Sequence, residues 1–529
     1  MNHALFVRVH VLYHMVKADF LERVRRYSFL LTLAGALWLA YGVIAEKVTI
    51  VVGDGYRGVY NSAWIGMLMA INCSTFLSLC GFYVVKNSIE RDSMTRVGRI
   101  LAATPMRKEF YTIAKTLSNF AVLAAMVLVL MVAAVAMQWL RPEARPISLW
   151  DLWSPFLLIA LPAMLVTASL AVLFEMLPVL RGGVGNVIYF FVWTFELAIG
   201  AVSHIDDVAG INILSNSTRQ TLETLNSGSA KITRFSLSIG GDHASRTFLW
   251  NGIHWTARLL ASRFLWVVVG FGFALLASVF FHRFDPARER LREKTPKQKG
   301  KIAAEGPVVI AEPANPHLPH ATLTPLGQHR HSRFGRLVFS EVSLMVKGLR
   351  WWWYVVAAGL LVAEFASPMP EAREGVLLPA WLWPVLVWSQ MGCREARHAT
   401  QSLIFSAERV VYRQLIAIWA AGVIVAIVTG SGTGIRLLFS ANWQTLAAWA
   451  AGALFIPSLA LALGVWSGSG KFFEALYTVW WYVGPLHQVP ALDFVGGSHA
   501  SSSPGLYLTM AAALLLASCL GRRRQVAYA

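Results

Sequence analysis

The sequence predicts an all-α integral membrane protein with about 12 transmembrane helices, arranged as two pseudo-symmetric six-helix halves. The first observation behind this prediction is composition: 56% of the 529 residues are hydrophobic and only 14% are charged. A soluble core of this size cannot hold so much apolar surface. The second observation is an internal repeat, in which the landmarks of residues 1–283 recur in the same order in residues 334–529. Internal duplication in a membrane protein is typical of transport machinery.

Apolar runs define the predicted spans. Most have the roughly 20 residues that a helix needs to cross the hydrocarbon core. The predicted spans are residues 28–46, 62–86, 111–139, 152–176, 184–203 and 262–282, and then 351–366, 376–393, 412–430, 442–467, 472–490 and 505–521. The repeat divides them into six and six.

Matching residues make the repeat specific. A basic amphipathic stretch precedes the first span of each half, at residues 8–26 and 333–350. Later landmarks pair across the halves as Arg91-Asp92 with Arg394-Glu395, Ile100-Leu101 with Leu403-Ile404, Tyr111 with Tyr412, and Leu161-Pro162 with Ile456-Pro457. Near the fifth span of each half, Asn186, Tyr189 and Trp193 correspond to Glu474, Tyr477 and Trp481. The predicted domains are therefore a first permease half at 1–283, a linker at 284–333 and a second half at 334–529.

The distribution of basic residues predicts the orientation. Placing both termini in the cytoplasm assigns most of the 46 Lys and Arg residues to cytoplasmic segments. That bias explains the net charge of +18 through orientation and contact with anionic lipid headgroups, and it leaves no need for a nucleic-acid partner. The linker is rich in Lys, Pro and His, which predicts a flexible cytoplasmic tether.

Sequence motifs for nucleotide binding, hydrolysis and metal binding are absent or incomplete. Gly468 to Lys471 resembles a phosphate-binding loop, but Phe472 replaces the required Ser or Thr and Val465 replaces the first glycine. Motifs of membrane proteases and hydrolases are also absent. The spacing of the linker histidines matches no compact metal site. The group His204, Asp206 and Asp207 fits a solvated loop better than a metal site. We therefore expect a transport subunit that is not an enzyme, with no catalytic residues, metal or cofactor in this chain.

Carboxylates inside predicted spans are candidates for a proton or ion pathway, since such groups are costly in a membrane. Glu175, Glu196 and Glu474 are the possible pathway residues. Each lies near a span end, so a structural or gating role is an equal alternative. The spans also carry many aromatic residues, among them Trp381 and Trp388, which could line a pathway, although packing is their commoner role.

The most specific motif extends from Asn87 to Lys115. A charged helix around Arg91, Asp92 and Arg96 precedes Leu101 to Met106, which includes Thr104 and Pro105, and Tyr111 and Lys115 then open the next span. This segment resembles the cytoplasmic loop of ATP-binding-cassette (ABC) exporter permeases of the second bacterial class, a six-span family that moves drugs, lipids and polysaccharides. The resemblance is best over residues 85–200. It is faint in the second half, where Ala407-Glu408 replaces Thr104-Pro105.

The resemblance implies a type V exporter fold and a location in the bacterial inner membrane. It makes Arg91, Asp92, Arg96 and residues 101–106, including Leu101, Thr104, Pro105 and Met106, the helix that couples to an ATPase. Arg394, Glu395, Arg397 and residues 403–408 would form a weaker twin. The implied partners are two copies of a separately encoded cytoplasmic subunit that binds ATP and Mg, together with membrane lipids.

Three functional classes follow in order. The first is an ABC exporter permease for a lipid-like, peptide or amphiphilic substrate, since the aromatic spans suit such molecules better than a small ion. The second is an ion-coupled secondary transporter that would use Glu175, Glu196 or Glu474. The third is a membrane-embedded enzyme.

Overall fold

The structure is a computed structural model. It describes residues 2–45, 48–52, 56–95, 97–104, 106–140, 143, 147–202, 207–225, 235–239, 246–281, 334–398, 400–406, 410–486, 492–496 and 504–528. The predicted linker at 284–333 lies outside the described residues, as do Arg96, Pro105, His204 and Asp206.

Helices make up most of the described chain. In the first part these are α1 (Asn2–Val24), α2 (Tyr27–Ile44), α3 (Ser62–Val85), α4 (Ser88–Met94), α5 (Val97–Ala103), α6 (Lys108–Leu140), α7 (Leu149–Met176), α8 (Gly183–Val202), α9 (Ile211–Leu225) and α10 (Ala257–Phe280). Helix α7 contains a π-helical turn at Phe156–Ala160. Asn61 starts α3 by accepting a hydrogen bond from the Trp64 N–H at 2.8 Å, and Thr256 caps α10 in the same way.

The second part begins with α11 (Phe334–Val346) and α12 (Trp351–Ala366). The helices that follow are α13 (Met369–Glu371), α14 (Leu377–Leu382), α15 (Val385–Trp388), α16 (Arg394–Arg397), α17 (Gln401–Phe405), α18 (Val410–Thr429), α19 (Ser431–Phe439), α20 (Trp443–Ser467), α21 (Lys471–Trp481) and α22 (Pro504–Tyr528). Two further π-helical turns lie at Ala372–Val376 and Tyr482–Leu486.

Eight helices of the described residues are long and apolar enough to cross a membrane: α3, α6, α7, α8, α10, α18, α20 and α22. The number becomes nine if α11 and α12, which meet at a bend of 107°, form one span. The predominance of helices and these eight apolar helices agree with the predicted α-helical multi-pass membrane protein, which contains one small sheet in addition. The arrangement of twelve spans in two six-helix halves stays a prediction. The apolar part of α2, Phe29–Val43, is shorter than these helices.

The predicted span at 376–393 is not one helix. The structure divides it into α14 and α15, with Pro384 as the residue that precedes α15. Proline has no backbone N–H, so residue 384 cannot donate a hydrogen bond within a helix, and the break follows from the sequence. The predicted span at 472–490 is likewise represented by the eleven residues of α21 and a π-helical turn.

A small sheet lies at the end of the spans where α3 begins, which we call the sheet end. Its strands are β1 (Val48–Val52), β2 (Tyr56–Gly58), β3 (Phe235–Ile239) and β4 (Arg246–Phe248), in the order β3-β1-β2-β4. Strand β1 is antiparallel to β2 and β3, and β2 is parallel to β4. The opposite end, where α3 meets α4, is the α4 end.

Two hydrophobic cores organise the helices. The first surrounds α3, α6 and α7 and includes Met67, Val122 and Phe156, all fully buried. The second surrounds α14, α15, α18, α20 and α21 and includes Trp381 and Phe455. The side chains of α8 and α21 pack against both cores, so these two helices join them.

Candidate functional site

The charged pair predicted to couple faces into the protein. Arg91 forms ion pairs with Asp19 at 2.8 Å and Glu22 at 2.7 Å, both on α1. Asp92 is buried, accepts a hydrogen bond from the Tyr111 hydroxyl at 2.7 Å and pairs with Lys115 of α6 at 2.8 Å. Lys115 also reaches Asp19 at 2.7 Å. This charge network holds α1, α4 and α6 together.

Arg23 extends the packing of α1 on α6. Its guanidinium donates to the side-chain oxygen of Asn119, and both residues are buried. Burial lowers the pKa of Arg23 to about 10, so it remains a cation at neutral pH. The amphipathic first helix is therefore fixed to the span bundle by its polar side chains.

The surface beyond this network is apolar. Ile100 on α5 is 68% exposed and Val97 is 43% exposed, whereas Leu101 and Met106 are half-buried and Thr104 is exposed. The resemblance places the interaction on Arg91, Asp92, Arg96 and residues 101–106. Val97 and Ile100, the exposed apolar residues of α5, lie just before that range.

The second segment has a comparable arrangement. Arg394 on α16 pairs with Glu341 of α11 at 3.0 Å, and buried Glu395 pairs with Arg522 of α22 at 3.3 Å. Arg397 is exposed. On α17, Leu403 is 75% exposed. An inward-facing charged pair and an outward-facing apolar residue thus occur at both segments.

Glu175 fixes the start of α4. Its two carboxylate oxygens accept hydrogen bonds from the backbone N–H groups of Asn87 at 2.6 Å, Ser88 at 2.9 Å and Ile89 at 2.7 Å. Asn87 has a φ of 79°, a left-handed conformation that asparagine tolerates. A carboxylate in this position satisfies the free N–H groups of a helix N-terminus and its partial positive charge. The structure therefore places this pathway candidate as the cap of α4.

Glu474 lies at the contact between α8 and α21. The side-chain amide of Asn186 donates to Glu474, and its side-chain oxygen accepts from Lys86 at 2.6 Å. Lys471 donates to the backbone oxygen of Lys86 at 3.0 Å. Tyr83 adds a bond to the backbone oxygen of Asn186 at 2.8 Å. We call Lys86, Asn186, Lys471 and Glu474 the polar joint, because it links the two cores at the α4 end.

Two pairs of aromatic side chains anchor the joint helices. On α8, Tyr189 donates to the backbone oxygen of Ser78 at 2.8 Å. The indole N–H of Trp193 is shared between the Ser78 hydroxyl at 2.9 Å and the backbone oxygen of Thr75 at 3.2 Å. On α21, Tyr477 donates to the oxygen of Trp381 at 2.9 Å and Trp481 to that of Leu378 at 2.9 Å. In each pair the donors are four residues apart and the acceptors three apart.

Other aromatic residues take structural positions. Trp381 and Trp388 are buried, and their indole N–H groups donate to the oxygens of Ala426 and Gly422, both at 3.1 Å. Packing is thus the role that these two residues have.

Glu196, the third pathway candidate, lies on α8 ten residues after Asn186. The backbone of Val208 and Ala209 lies close to its carboxyl group. Its Oε1 atom is enclosed and has no hydrogen-bond partner among the described residues. Of the three candidates, Glu196 is therefore the one with spare hydrogen-bonding capacity at a carboxyl oxygen.

Comparisons with protein-family models, with curated proteins and with solved structures find no match to this chain.

Proposed function

We propose that this chain is the permease subunit of an ABC exporter, built from two fused six-span halves and driven by separately encoded ATPase subunits. The α4 end, both termini and the linker face the cytoplasm of a bacterial cell. The cargo is lipid-like, peptide or amphiphilic.

The observation that carries the proposal is the pair of apolar tips, Ile100 on α5 and Leu403 on α17. Water-exposed apolar side chains next to charged segments suit insertion into a cleft of a partner protein. The tips sit beside helices whose charges are tied to the spans, Arg91 and Asp92 to α1 and α6, and Arg394 and Glu395 to α11 and α22. A force applied at a tip therefore reaches several spans, as rigid-body coupling requires.

Hydrogen bonds around α8 and α21 support the two-half arrangement. The bonds from Tyr189 and Trp193 have the same spacing as the bonds from Tyr477 and Trp481, which are the residues paired by the sequence repeat. Asn186 and Glu474 are also paired by the repeat, and they bond to each other. Such a self-contact is expected beside a pseudo-two-fold axis.

The ion-coupled alternative is weakened by the partners of two candidate carboxylates. Glu175 accepts three backbone hydrogen bonds, and Glu474 belongs to the polar joint. Of the three carboxylates, Glu196 alone favours a proton or ion pathway, because its Oε1 atom has no hydrogen-bond partner among the described residues.

The test is purification of the tagged full-length chain from its native membrane, followed by protein identification and measurement of ATP hydrolysis. We expect an ATPase subunit with a phosphate-binding loop at about two copies per permease. Ile100→Glu and Leu403→Glu should each reduce its recovery at least severalfold. Val179→Glu is the matched control, because Val179 is 73% exposed and lies in the turn between α7 and α8 at the same end. Transport by the pure chain driven by a proton gradient alone would contradict the proposal.

A further inference from the structure

Local contacts fix the corner between α11 and α12. The two helices meet at a bend of 107°, so α11 runs close to the membrane plane when α12 crosses the membrane. Gly348 lies at the corner with a φ of 97°, a left-handed conformation that glycine adopts without strain. The Tyr354 hydroxyl of α12 donates to the backbone oxygen of Val346 at the end of α11 at 2.8 Å. The orientation of α11 relative to α12 is therefore built into the chain.

Helix α11 has one face against the protein and an apolar residue on the other side. Glu341 and Met345 are buried, and Glu341 pairs with Arg394 of α16 at 3.0 Å. Phe339 is 75% exposed. Successive residues of a helix are rotated by about 100°, so Phe339 lies on the side opposite Glu341. An outward apolar side chain on a helix in the membrane plane suits the boundary between headgroups and hydrocarbon.

Exposed aromatic residues place the corner at the level of the lipid headgroups. Trp351, the first residue of α12, is 76% exposed. At the same end of the second part, Tyr412 of α18 and Trp466 of α20 are 52% and 56% exposed. Trp and Tyr are enriched at membrane–water interfaces, where their rings meet hydrocarbon and their polar atoms meet water. Basic residues next to Trp351 therefore lie at the depth of the lipid phosphates.

The corner carries cations and little negative charge. Arg336, Lys347 and Arg350 are exposed, and none of them forms an ion pair within the part of the chain that the structure describes. Glu341 is the one acidic residue in the sequence from 334 to 354, and its carboxylate is buried against α16. The exposed charge of this segment is therefore positive, which attracts an anionic headgroup.

The equivalent position in the first part of the chain is neutralised. Arg26 directly precedes α2 as Arg350 precedes α12, and both residues have an extended backbone conformation there. Arg26 pairs with Glu22 at 2.5 Å, whereas Arg350 has no acidic partner among the described residues. Of the two matched arginines, Arg350 is thus the one whose charge is available to a ligand.

We propose that the corner between α11 and α12 binds an anionic phospholipid, with the lipid phosphate between Lys347 and Arg350 and the acyl chains beside Trp351. The two cations are three residues apart and so within ~11 Å even along an extended chain. Their long side chains can reach one phosphate group, to which Arg donates two parallel hydrogen bonds and Lys contributes a point charge. The inference goes beyond the proposed function and requires only that α12 crosses the membrane.

The binding test uses the purified full-length chain in nanodiscs of phosphatidylcholine, without any ATPase. The probe is a small fraction of phosphatidylglycerol that carries a photoreactive diazirine close to its glycerol backbone. We expect labelled peptides from residues 334–354, and loss of this label when unlabelled phosphatidylglycerol replaces part of the phosphatidylcholine. Equal labelling by a phosphatidylcholine probe of the same design would overturn the proposal. Displacement of the probe by soluble glycerol phosphate would also overturn it, in favour of a site for small anions.

Charge variants test the two cations. A basic residue near an anionic surface changes lipid affinity by about fivefold. Arg350→Gln and Lys347→Gln should therefore each reduce the labelling of residues 334–354 by about fivefold, whereas Arg350→Lys keeps the charge and should retain most of it. Arg26→Gln is the matched control and should leave the labelling unchanged, because Arg26 occupies the equivalent position and is paired with Glu22.

Equal labelling in the wild type, Arg350→Gln and Lys347→Gln would contradict the proposal. If these variants do not fold, the salt dependence of the wild type decides, because salt screens exposed charges. The preference for phosphatidylglycerol should then fall at high salt, and a preference that salt leaves unchanged would overturn the proposal. The absence of an ATPase from the native complex would instead refute the proposed function and leave this binding result unaffected.

Discussion

Asp92 shows how one residue of the predicted coupling motif serves the fold. Its carboxylate is buried between Tyr111 and Lys115, and Lys115 keeps a second partner in Asp19. Asp92→Asn should therefore lower stability by ~1–3 kcal/mol, the cost of a weakened charged hydrogen bond. Thermal unfolding of the purified protein measures this. Arg397→Ala, at an exposed site on α16, is the control and should unfold at the same temperature as the wild type.

Exchange of the two charges, with Asp at 91 and Arg at 92, should be more harmful than Asp92→Asn. The new aspartate would face Asp19 and Glu22, and the new arginine would face Lys115. Like charges in a partly buried network repel each other and cannot reach water easily. We expect reduced membrane levels of the double variant in cells, measured by immunoblot. Normal levels would mean that the network contributes little to folding.

Glu175 also acts locally. Replacement by Ala removes the acceptor for three N–H groups at the start of α4, and loss of a helix cap typically costs ~1 kcal/mol. Hydrogen exchange of the amides of residues 87–89 should accelerate by about fivefold, since a 1 kcal/mol change shifts an opening equilibrium by that factor. Amides in the middle of α20 serve as the internal control. Unchanged exchange at residues 87–89 would contradict the capping role.

At the scale of elements, α8 and α21 approach each other closely because of Gly183. A Cβ atom at this position would lie 2.7 Å from a Leu386 methyl carbon and 2.9 Å from Glu474 Oε1. Gly183→Ala should therefore displace the ends of the Leu386 and Glu474 side chains, disturb the polar joint and lower stability by ~1 kcal/mol, the typical worth of a lost hydrogen bond. A Cβ atom added at the adjacent Gly182 would meet nothing within 4 Å, so Gly182→Ala is the matched control. Differential scanning fluorimetry compares the two, and equal melting temperatures would argue against a tight joint.

Sequence reasoning located these elements better than it located their contacts. The run of apolar residues from Ser62 to Val85 predicts α3 directly. Pro384 indicates a break within the predicted span at 376–393, which the average hydropathy of that segment does not show. The sequence of strand β3 is Phe-Ser-Leu-Ser-Ile, in which apolar and polar residues alternate as in a half-buried strand. The many Ser and Thr residues around it favour a loop, so the strand is not predicted. The partners of Arg91 and Glu175 could not be predicted, because Asp19 lies 72 positions from Arg91 and Asn87 lies 88 positions from Glu175.

At the scale of the whole molecule, the distribution of basic residues predicts that the linker and the sheet end face opposite sides of the membrane. Cysteine at Ala303 should react with an impermeant maleimide only after cell lysis, whereas cysteine at Leu249, which is 55% exposed beside β4, should react in intact cells. The native cysteines Cys73 and Cys393 are buried and should give little background labelling. Labelling of Ala303→Cys in intact cells would refute the orientation.

The contact between Asn186 and Glu474 has a consequence for how such a chain can arise. Two identical subunits around a two-fold axis present the same residue to each other at the axis, so that residue must be complementary to itself. Two carboxylates at this point would repel, and a paired asparagine would lack the charge that Lys86 and Lys471 balance. An amide facing a carboxylate is possible only where the two positions can mutate independently. In the two-half arrangement that we propose, fusion of an ancestral homodimer into one gene allows the two positions to differ. A dimer rebuilt from two copies of the second half alone would again have the same residue at both positions.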